Sequence, residues 1–399
     1  MTTTEELRRQ NDLNVLRMLT DMKAVTKNEV AAHNGVTLVT AGKIIRRFHE
    51  RGLLTEAGIQ DSGRGRKASL YSLNSNAFYI AAVAVSPNGA TVALYDANMR
   101  QAARAYCPIN RVAPFHVSWE RIAQALQGLL QGQGVANDRL LGIGYTLPGI
   151  VDAGSGIITF LPQLKRWNGV NLKALSEERF GVHTMIEKDN YASVVYLKKQ
   201  GAEQLLNAMV MTIRGGIGCG IIMGNRLVRG ENGLAGEIGH ICVEKDGNLC
   251  VCGNRGCLET YASDDAIVAS LREEIKQQHC EPIPGLESDG IRVAIRAAAD
   301  GHGEAVRTFA RVAEYLAEVL VIALRCYDPE IIFIDSDYVR ELPFVQELLQ
   351  QRLIQADTMR DINRVRLSVC EPSDYSLLGA GLMVFNEAFH HYKYNSIIE

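Results

Sequence analysis

One histidine and four cysteines, three of them in one spacing, crowd the segment GEIGHICVEKDGNLCVCGNRGCLE, residues 236–259. His240, Cys250, Cys252 and Cys257 follow the spacing H-x9-C-x-C-x4-C. One imidazole and three soft sulfur donors are the ligand set of a closed tetrahedral zinc site. Gly253 and Gly256 flank the last gap, as a chain folded tightly around an ion requires, and no strand or helix period runs through the segment. The competing reading is ordinary buried thiols in a chain with nine cysteines. Clustering favours the metal, and a structural Zn2+ is the expectation. Cys242 stands outside the spacing and reads as packing. Glu237 and Glu259 bracket the cluster; each alone reads as a surface charge.

The elements that must position this segment belong to an ordinary globular chain: 399 residues, 47% hydrophobic and 22% charged. No charged stretch followed by an apolar run opens the sequence, and the apolar run Val319–Leu324 is too short for a bilayer. Nine cysteines, an odd number with one cluster, fit a reducing compartment. A cytoplasmic protein without membrane insertion is expected. The net charge of −3 hides an asymmetry: residues 1–76 carry twelve Lys and Arg against eight Asp and Glu, leaving about −7 for the rest.

That basic head has its own pattern. Leu13, Val15, Leu16 and Leu19 stripe a first helix, and a second from about Lys27 to His33 stops at Asn34-Gly35. Between Thr37 and Arg51, Ala41, Ile44, Ile45 and Phe48 follow i, i+3, i+4, i+7, and Gly52 supplies the stop. Two helices joined by a tight glycine turn make a helix-turn-helix, whose last helix enters the major groove. Thr37, Thr40 and Lys43 are the candidates for base contact, Arg46 and Arg47 for phosphates. The basic glycine-rich tip GRGRK, with Arg64, Arg66 and Lys67, precedes an alternating strand at 69–73 and reads as the wing of a winged helix-turn-helix.

From Phe78 the texture is α/β, with strands expected at 79–85, 90–95, 141–147, 182–187, 208–213, 220–223 and 331–335 and a long amphipathic helix over 304–325. The zinc segment, AMVMTIRGGIGCG (208–220), Glu187-Lys188-Asp189-Asn190 and Asp328-Pro329 occur in the order found in the ROK family of repressors, uncharacterised frames and sugar kinases. The head, through GRGRK, resembles the DNA-binding half of that family's repressors.

The resemblance implies an α/β, actin-like sugar-kinase fold of two lobes behind an N-terminal winged helix-turn-helix. The expected limits are 1–76 for the head and 77–399 for the body, with a small lobe of 77–187 plus a C-terminal helix over 376–399, and a large lobe of 188–375. It implies that Glu237 and Glu259 accept hydrogen bonds from sugar hydroxyls. His240 binds zinc through one ring nitrogen and faces the sugar with the other. Asn168 lines the cleft, and Asp189 stands in the place of the kinase general base.

Three departures bear on activity. Where the kinases carry Asp-x-Gly-Gly-Thr around the nucleotide phosphates, this chain has Ala84-Val85-Ser86-Pro87-Asn88. Its acid and glycines are absent, and proline removes a backbone donor. Asp335-Ser336 replaces the Gly-Gly of the adenosine region, and Lys188 replaces an asparagine, either altering ligand choice or turning outward. The expectation is therefore a sugar-responsive DNA-binding repressor, not an enzyme. The alternative is an ATP-dependent hexose kinase with an appended head. Partners expected are operator DNA, a sugar or sugar derivative, a second copy in a homodimer or homotetramer, and a sugar-transport protein docking on the body.

Overall fold

The apolar stripe of the first helix needs a surface to bury against, and the next sixty residues supply it. The computed structural model describes residues 4–60, 67–199, 206–356, 366–370 and 374–390. Helix α1 (Thr4–Asp21), strand β1 (Val25–Thr26), α2 (Lys27–His33) and α3 (Leu38–Glu50) lead into the strands β2 (Leu54–Gln60) and β3 (Ala68–Leu73). Thr26 and Glu29 close a capping box on α2, with Oγ1 accepting from the Glu29 amide at 3.2 Å and Glu29 Oε2 accepting from the Thr26 amide at 2.7 Å. Ala41, Ile44, Ile45 and Phe48 of α3 are buried as their spacing predicts, against Leu13, Leu16 and Leu19. The sheet order is β1-β3-β2.

The body contains the same strand order twice. In the small lobe, β4 (Tyr79–Ser86), β5 (Gly89–Asp96) and β6 (Gln101–Pro108) form an antiparallel meander. After α4 (Phe115–Gly132), β7 (Leu140–Leu147) and β10 (Thr184–Lys188) add in parallel on the other side of β4. The order is β10-β7-β4-β5-β6. The ribbon β8 (Ile150–Asp152) and β9 (Ile157–Phe160) and helix α5 (Leu172–Phe180) lie between β7 and β10 in the chain.

Helix α6 (Asp189–Lys199) then crosses to the large lobe. There β11 (Ala208–Ile213), β12 (Ile217–Met223) and β13 (Arg226–Leu227) form the meander, and β14 (Ile331–Asp335) and β15 (Arg366–Val369) the parallel pair, in the order β13-β12-β11-β14-β15. Helices α7 (Glu259–Ala262), α8 (Asp264–Gln277), α9 (Leu286–Ala299), α10 (Gly303–Tyr327), α11 (Asp337–Glu341) and α12 (Pro343–Ala356) complete this lobe, and α10 runs through its core. No helix among the described residues is long and apolar enough to cross a membrane.

Helix α6 and the last helix, α13 (Tyr375–His390), pack against each other at backbone distance. A Cβ on Gly379 would fall 1.9 Å from the Ala192 carbonyl oxygen, so only glycine allows this approach. The opposite face of α6 rests on β12, where added Cβ atoms at Gly218 and Gly220 would meet Asn190 and Val194. The strand expected at 220–223 accordingly begins three residues earlier, at Ile217, because its glycines accommodate a helix and do not form the turn. At its other end α13 enters the core of the head: Val384, Phe385 and Ala388 are buried with Leu13, Leu16, Phe48 and Phe78, and the rings of Phe78 and Phe385 are 6.3 Å apart.

Candidate functional site

The segment between β13 and α7 is laid flat on β12. A Cβ on Gly236 would sit 1.7 Å from the Cys219 carbonyl oxygen, and one on Gly239 would sit 2.3 Å from that of Ile217. The Cys219 amide donates to the Gly236 carbonyl at 2.8 Å. These contacts fix Glu237 and His240, which lie between and beside the glycines. Further on, the amide of Cys250 donates to Asn254 O at 2.8 Å and that of Gly256 to Asn248 O at 2.8 Å, which curls the chain back on itself. The ligand atoms of His240, Cys250, Cys252 and Cys257 thereby all lie within 4.8 Å of one another. His240 Nδ1 is 3.5 Å from Cys250 Sγ, and Cys252 Sγ is 3.7 Å from Cys257 Sγ. A tetrahedron with metal–ligand bonds of about 2.0–2.3 Å has edges of roughly 3.4–3.8 Å, so the donor set and its spacing fit a metal ion. All nine cysteines are free thiols. Cys242 is exposed, which corrects the expectation that it packs; its backbone pairs with Cys257 while its sulfur stays outside the set.

The other ring nitrogen of His240, Nε2, lies 3.7 Å from Glu237 Oε2. The second carboxylate oxygen of Glu237 accepts from Lys188 Nζ, which also donates to Gly233 O at 3.1 Å. Lys188 is buried and turned inward, so the alternative of an outward lysine is excluded. Its neighbour Glu187, also buried, takes both Nε and Nη2 of Arg229 at 3.2 and 2.7 Å. Consecutive residues of opposite charge at the end of β10 thus hold both ends of the segment 229–237 through two ion pairs of opposite sense. Tyr191 adds a third tie, its hydroxyl donating to Ala235 O at 2.8 Å.

Asp189 opens α6 beside this clamp. Burial pushes its carboxyl up to about 6, against the pull of the Asn190 amide and Lys188, while Glu237 and Asp335 push the same way as burial. Glu259 opens α7, and its Oε2 accepts from the Ile217 amide at 3.0 Å; burial raises this carboxyl too. Asn168 is exposed next to the buried Trp167, and its side-chain oxygen accepts from the Leu161 amide at 2.7 Å. Sequence reading missed Gln163, which crosses from this loop to donate to Gly215 O at 2.9 Å. Its buried Oε1 has no protein partner, leaving an acceptor beside the turn that abuts Glu259.

The ROK family profile matches residues 81–385. This chain belongs to the ROK family. It is 28% identical over 364 residues to the N-acetylglucosamine repressor of Escherichia coli O157:H7, covering 87% of this chain and 86% of that one. The solved structure of a ROK family transcriptional regulator, described as a homologue of the E. coli MLC protein, superposes with a TM-score of 0.79 at 22% identity over 98% of both chains. A ROK family glucokinase from Streptomyces griseus, solved with glucose and AMPPNP, superposes at 0.66 and 24% identity over 99% of its own length but 77% of this chain.

The β4–β5 hairpin and the end of β14 are each fixed by local hydrogen bonds. The β4–β5 hairpin turns on Pro87 and Asn88 alone, with Ser86 paired to Gly89. Its tip is fastened sideways: Asn88 O accepts from the Ile109 amide at 3.0 Å, and Asn88 Oδ1 accepts from Arg111 at 2.7 Å. A two-residue turn containing proline offers no row of amides to phosphates. Across the cleft, Asp335 closes β14 and pairs with Arg214 at 2.7 Å, and the same guanidinium donates to Ile213 O at 2.8 Å. Nearby Asp264 is pushed up to about 7 by burial, which outweighs the opposing effect of Arg214.

In the head, Thr37 Oγ1 caps α3 by accepting from the Thr40 amide at 3.2 Å, and the two hydroxyls are 3.0 Å apart. Lys43, Arg46 and Lys67 are exposed. Arg47 is not free for a phosphate: its guanidinium binds Asp12 of α1 and lies over the Phe48 ring, so it ties the head together. Arg64 and Arg66 lie outside the described residues.

Proposed function

We propose that this ROK protein is a sugar-responsive transcriptional repressor, with a DNA-binding head on α3 and the β2–β3 wing and a body that takes a sugar as a signal. The observation that supports the reading is the hairpin turn at Pro87–Asn88, two residues with one proline, which gives few backbone donors to a phosphate. Glu237 Oε2, the second oxygen of Glu259 and Asp189 accept hydrogen bonds from sugar hydroxyls, which carboxylates do strongly and without donating in return. With no phosphoryl donor positioned opposite it, Asp189 orients a hydroxyl and deprotonates nothing.

In this reading His240, Cys250, Cys252 and Cys257 hold a structural Zn2+, which supplies rigidity and no reaction chemistry. His240 then binds through Nδ1 and offers the Nε2 side to the ligand. Lys188 holds the other oxygen of Glu237, so the carboxylate meets the sugar in one orientation.

A sugar that draws the lobes together acts on α6, whose first residue is Asp189. Because α6 meets α13 without intervening side chains at Gly379, displacement of one carries the other, and α13 ends inside the head. A sugar with different affinity for the two lobe arrangements shifts the spacing of paired heads on a two-fold dimer and releases the operator. The test uses the full chain. A thermal-shift screen over hexoses, N-acetylhexosamines and their phosphates finds a sugar that stabilises without ATP, and that sugar lowers affinity for a selected duplex. Steady ADP release above background from ATP and any of these sugars overturns the reading.

A further inference from the structure

The outer face of α3 has a composition that the head itself does not explain. Leu38 and Val39, in the first helical turn, are 58% and 68% exposed. Gly42 follows within the same helix, and nothing lies within 4 Å of where its Cβ would be. A glycine inside a helix costs about 1 kcal/mol relative to alanine, and here no packing neighbour inside the molecule requires it. Lys43 and Arg46 are exposed on the same side. At about 100° per residue, Val39, Gly42, Lys43 and Arg46 fall on one stripe opposite the buried Ala41, Ile44, Ile45 and Phe48. The face is thus apolar at its first turn, flat at Gly42 and cationic beyond.

Resting on the DNA-binding reading above, we infer that Leu38 and Val39 contact the 5-methyl groups of thymines in the major groove, and that Gly42 exists to let the duplex edge close on the helix. The thymine methyl is the one apolar feature of the major-groove edge, and an aliphatic side chain is its complement. Lys43 and Arg46 supply charge complementarity to the phosphates that flank it. Thr37 and Thr40, each engaged in the cap, set the angle of the first turn and leave the reading of bases to the two aliphatic residues.

The experiment is a selection of duplexes by the full-length protein from a randomised library containing thymine, and in parallel from the same library made with deoxyuridine. The thymine library yields sites with fixed thymines, and each selected site rebuilt with deoxyuridine binds roughly fourfold more weakly per lost methyl, the value of one buried carbon. Val39→Ser and Leu38→Ser, both at exposed positions, remove the thymine-over-uridine preference while retaining the salt dependence. Gly42→Leu weakens binding to every duplex without lowering the melting temperature. Equal affinity for thymine and uridine versions of a selected site overturns the inference and leaves DNA binding standing; no enrichment from either library overturns both. If the serine variants instead lower the oligomeric mass and leave the methyl preference unchanged, the face is a subunit contact and the inference is wrong.

Discussion

The pair formed by Lys188 and Glu237 allows a worked test of how the cleft is built, because its two members are unequally buried. The Lys188 side chain is 3% exposed and that of Glu237 is 27% exposed. Glu237→Leu leaves a buried ammonium with no carboxylate bonded to it, only the Gly233 carbonyl and the face of the Tyr191 ring, and stranding one member of a buried pair costs about 3–5 kcal/mol. Lys188→Met leaves a carboxylate that water reaches and that His240 still faces, which costs about 1–3 kcal/mol. The double variant removes both charges and replaces them with apolar groups of similar size, so most of the larger loss is recovered. Urea unfolding of the four proteins at one fixed zinc concentration, followed by tryptophan fluorescence and circular dichroism together, gives the cycle. The expected outcome is a larger loss for Glu237→Leu than for Lys188→Met and a coupling energy above about 1.5 kcal/mol. Equal single losses that add in the double variant would refute the assignment of Lys188 as the internal counter-ion of Glu237.

Other consequences of the site are open to measurement. Cys250→Ser should lower bound zinc, read by elemental analysis, and sharply lower the melting temperature, since structural zinc contributes on the order of 10 kcal/mol in small sites. Burial pushes the Asp189 carboxyl up to about 6, so in its proposed role as acceptor for a sugar hydroxyl it gains strength as its proton leaves. Sugar affinity measured by calorimetry should therefore rise between pH 5 and 7, and Asp189→Asn should flatten that rise. Asp264, raised to about 7, binds more protons folded than unfolded, so it makes stability fall as pH climbs from about 4 to 7. Asp264→Asn should raise the melting temperature most at pH 8, less at pH 5, and change it little near pH 3.

How much of this was legible in the sequence depended on whether a feature closes over a short or a long stretch of chain. His240, Cys250, Cys252 and Cys257, a set that could hold a metal ion, fall within residues 240–257, so their spacing alone carries the donor chemistry. The helices of the head and most strands were readable because burial imposes a period on them; β6 was not, because at the sheet edge its inward side is only Ala103, Ala105 and Cys107, too small to give QAARAYCP an alternation of hydropathy. The clamp of Lys188 with Glu237 and Glu187 with Arg229 joins residues 49 and 42 positions apart, and nothing local marks those partners. The charges at the end of an otherwise buried strand were the available signal. Arg47 read as a phosphate ligand for a similar reason: Asp12 lies 35 residues upstream. Nothing local marked Gly218 and Gly220 as contact residues, since the helix that requires them is known only once the lobes are assembled.

The burial of Val384, Phe385 and Ala388 among head residues has a consequence for anyone recombining ROK regulators. A chimera made by exchanging residues 1–76 between two relatives would join a new α1 and α3 to an old α13, with a mismatched seam at Phe78 and Phe385. The transferable unit is a discontinuous one: the head together with the outward face of a helix about three hundred residues away. A graft that carries both pieces should retain its melting temperature, whereas one cut at the linker alone inherits a cavity or a clash where two independently varied surfaces meet.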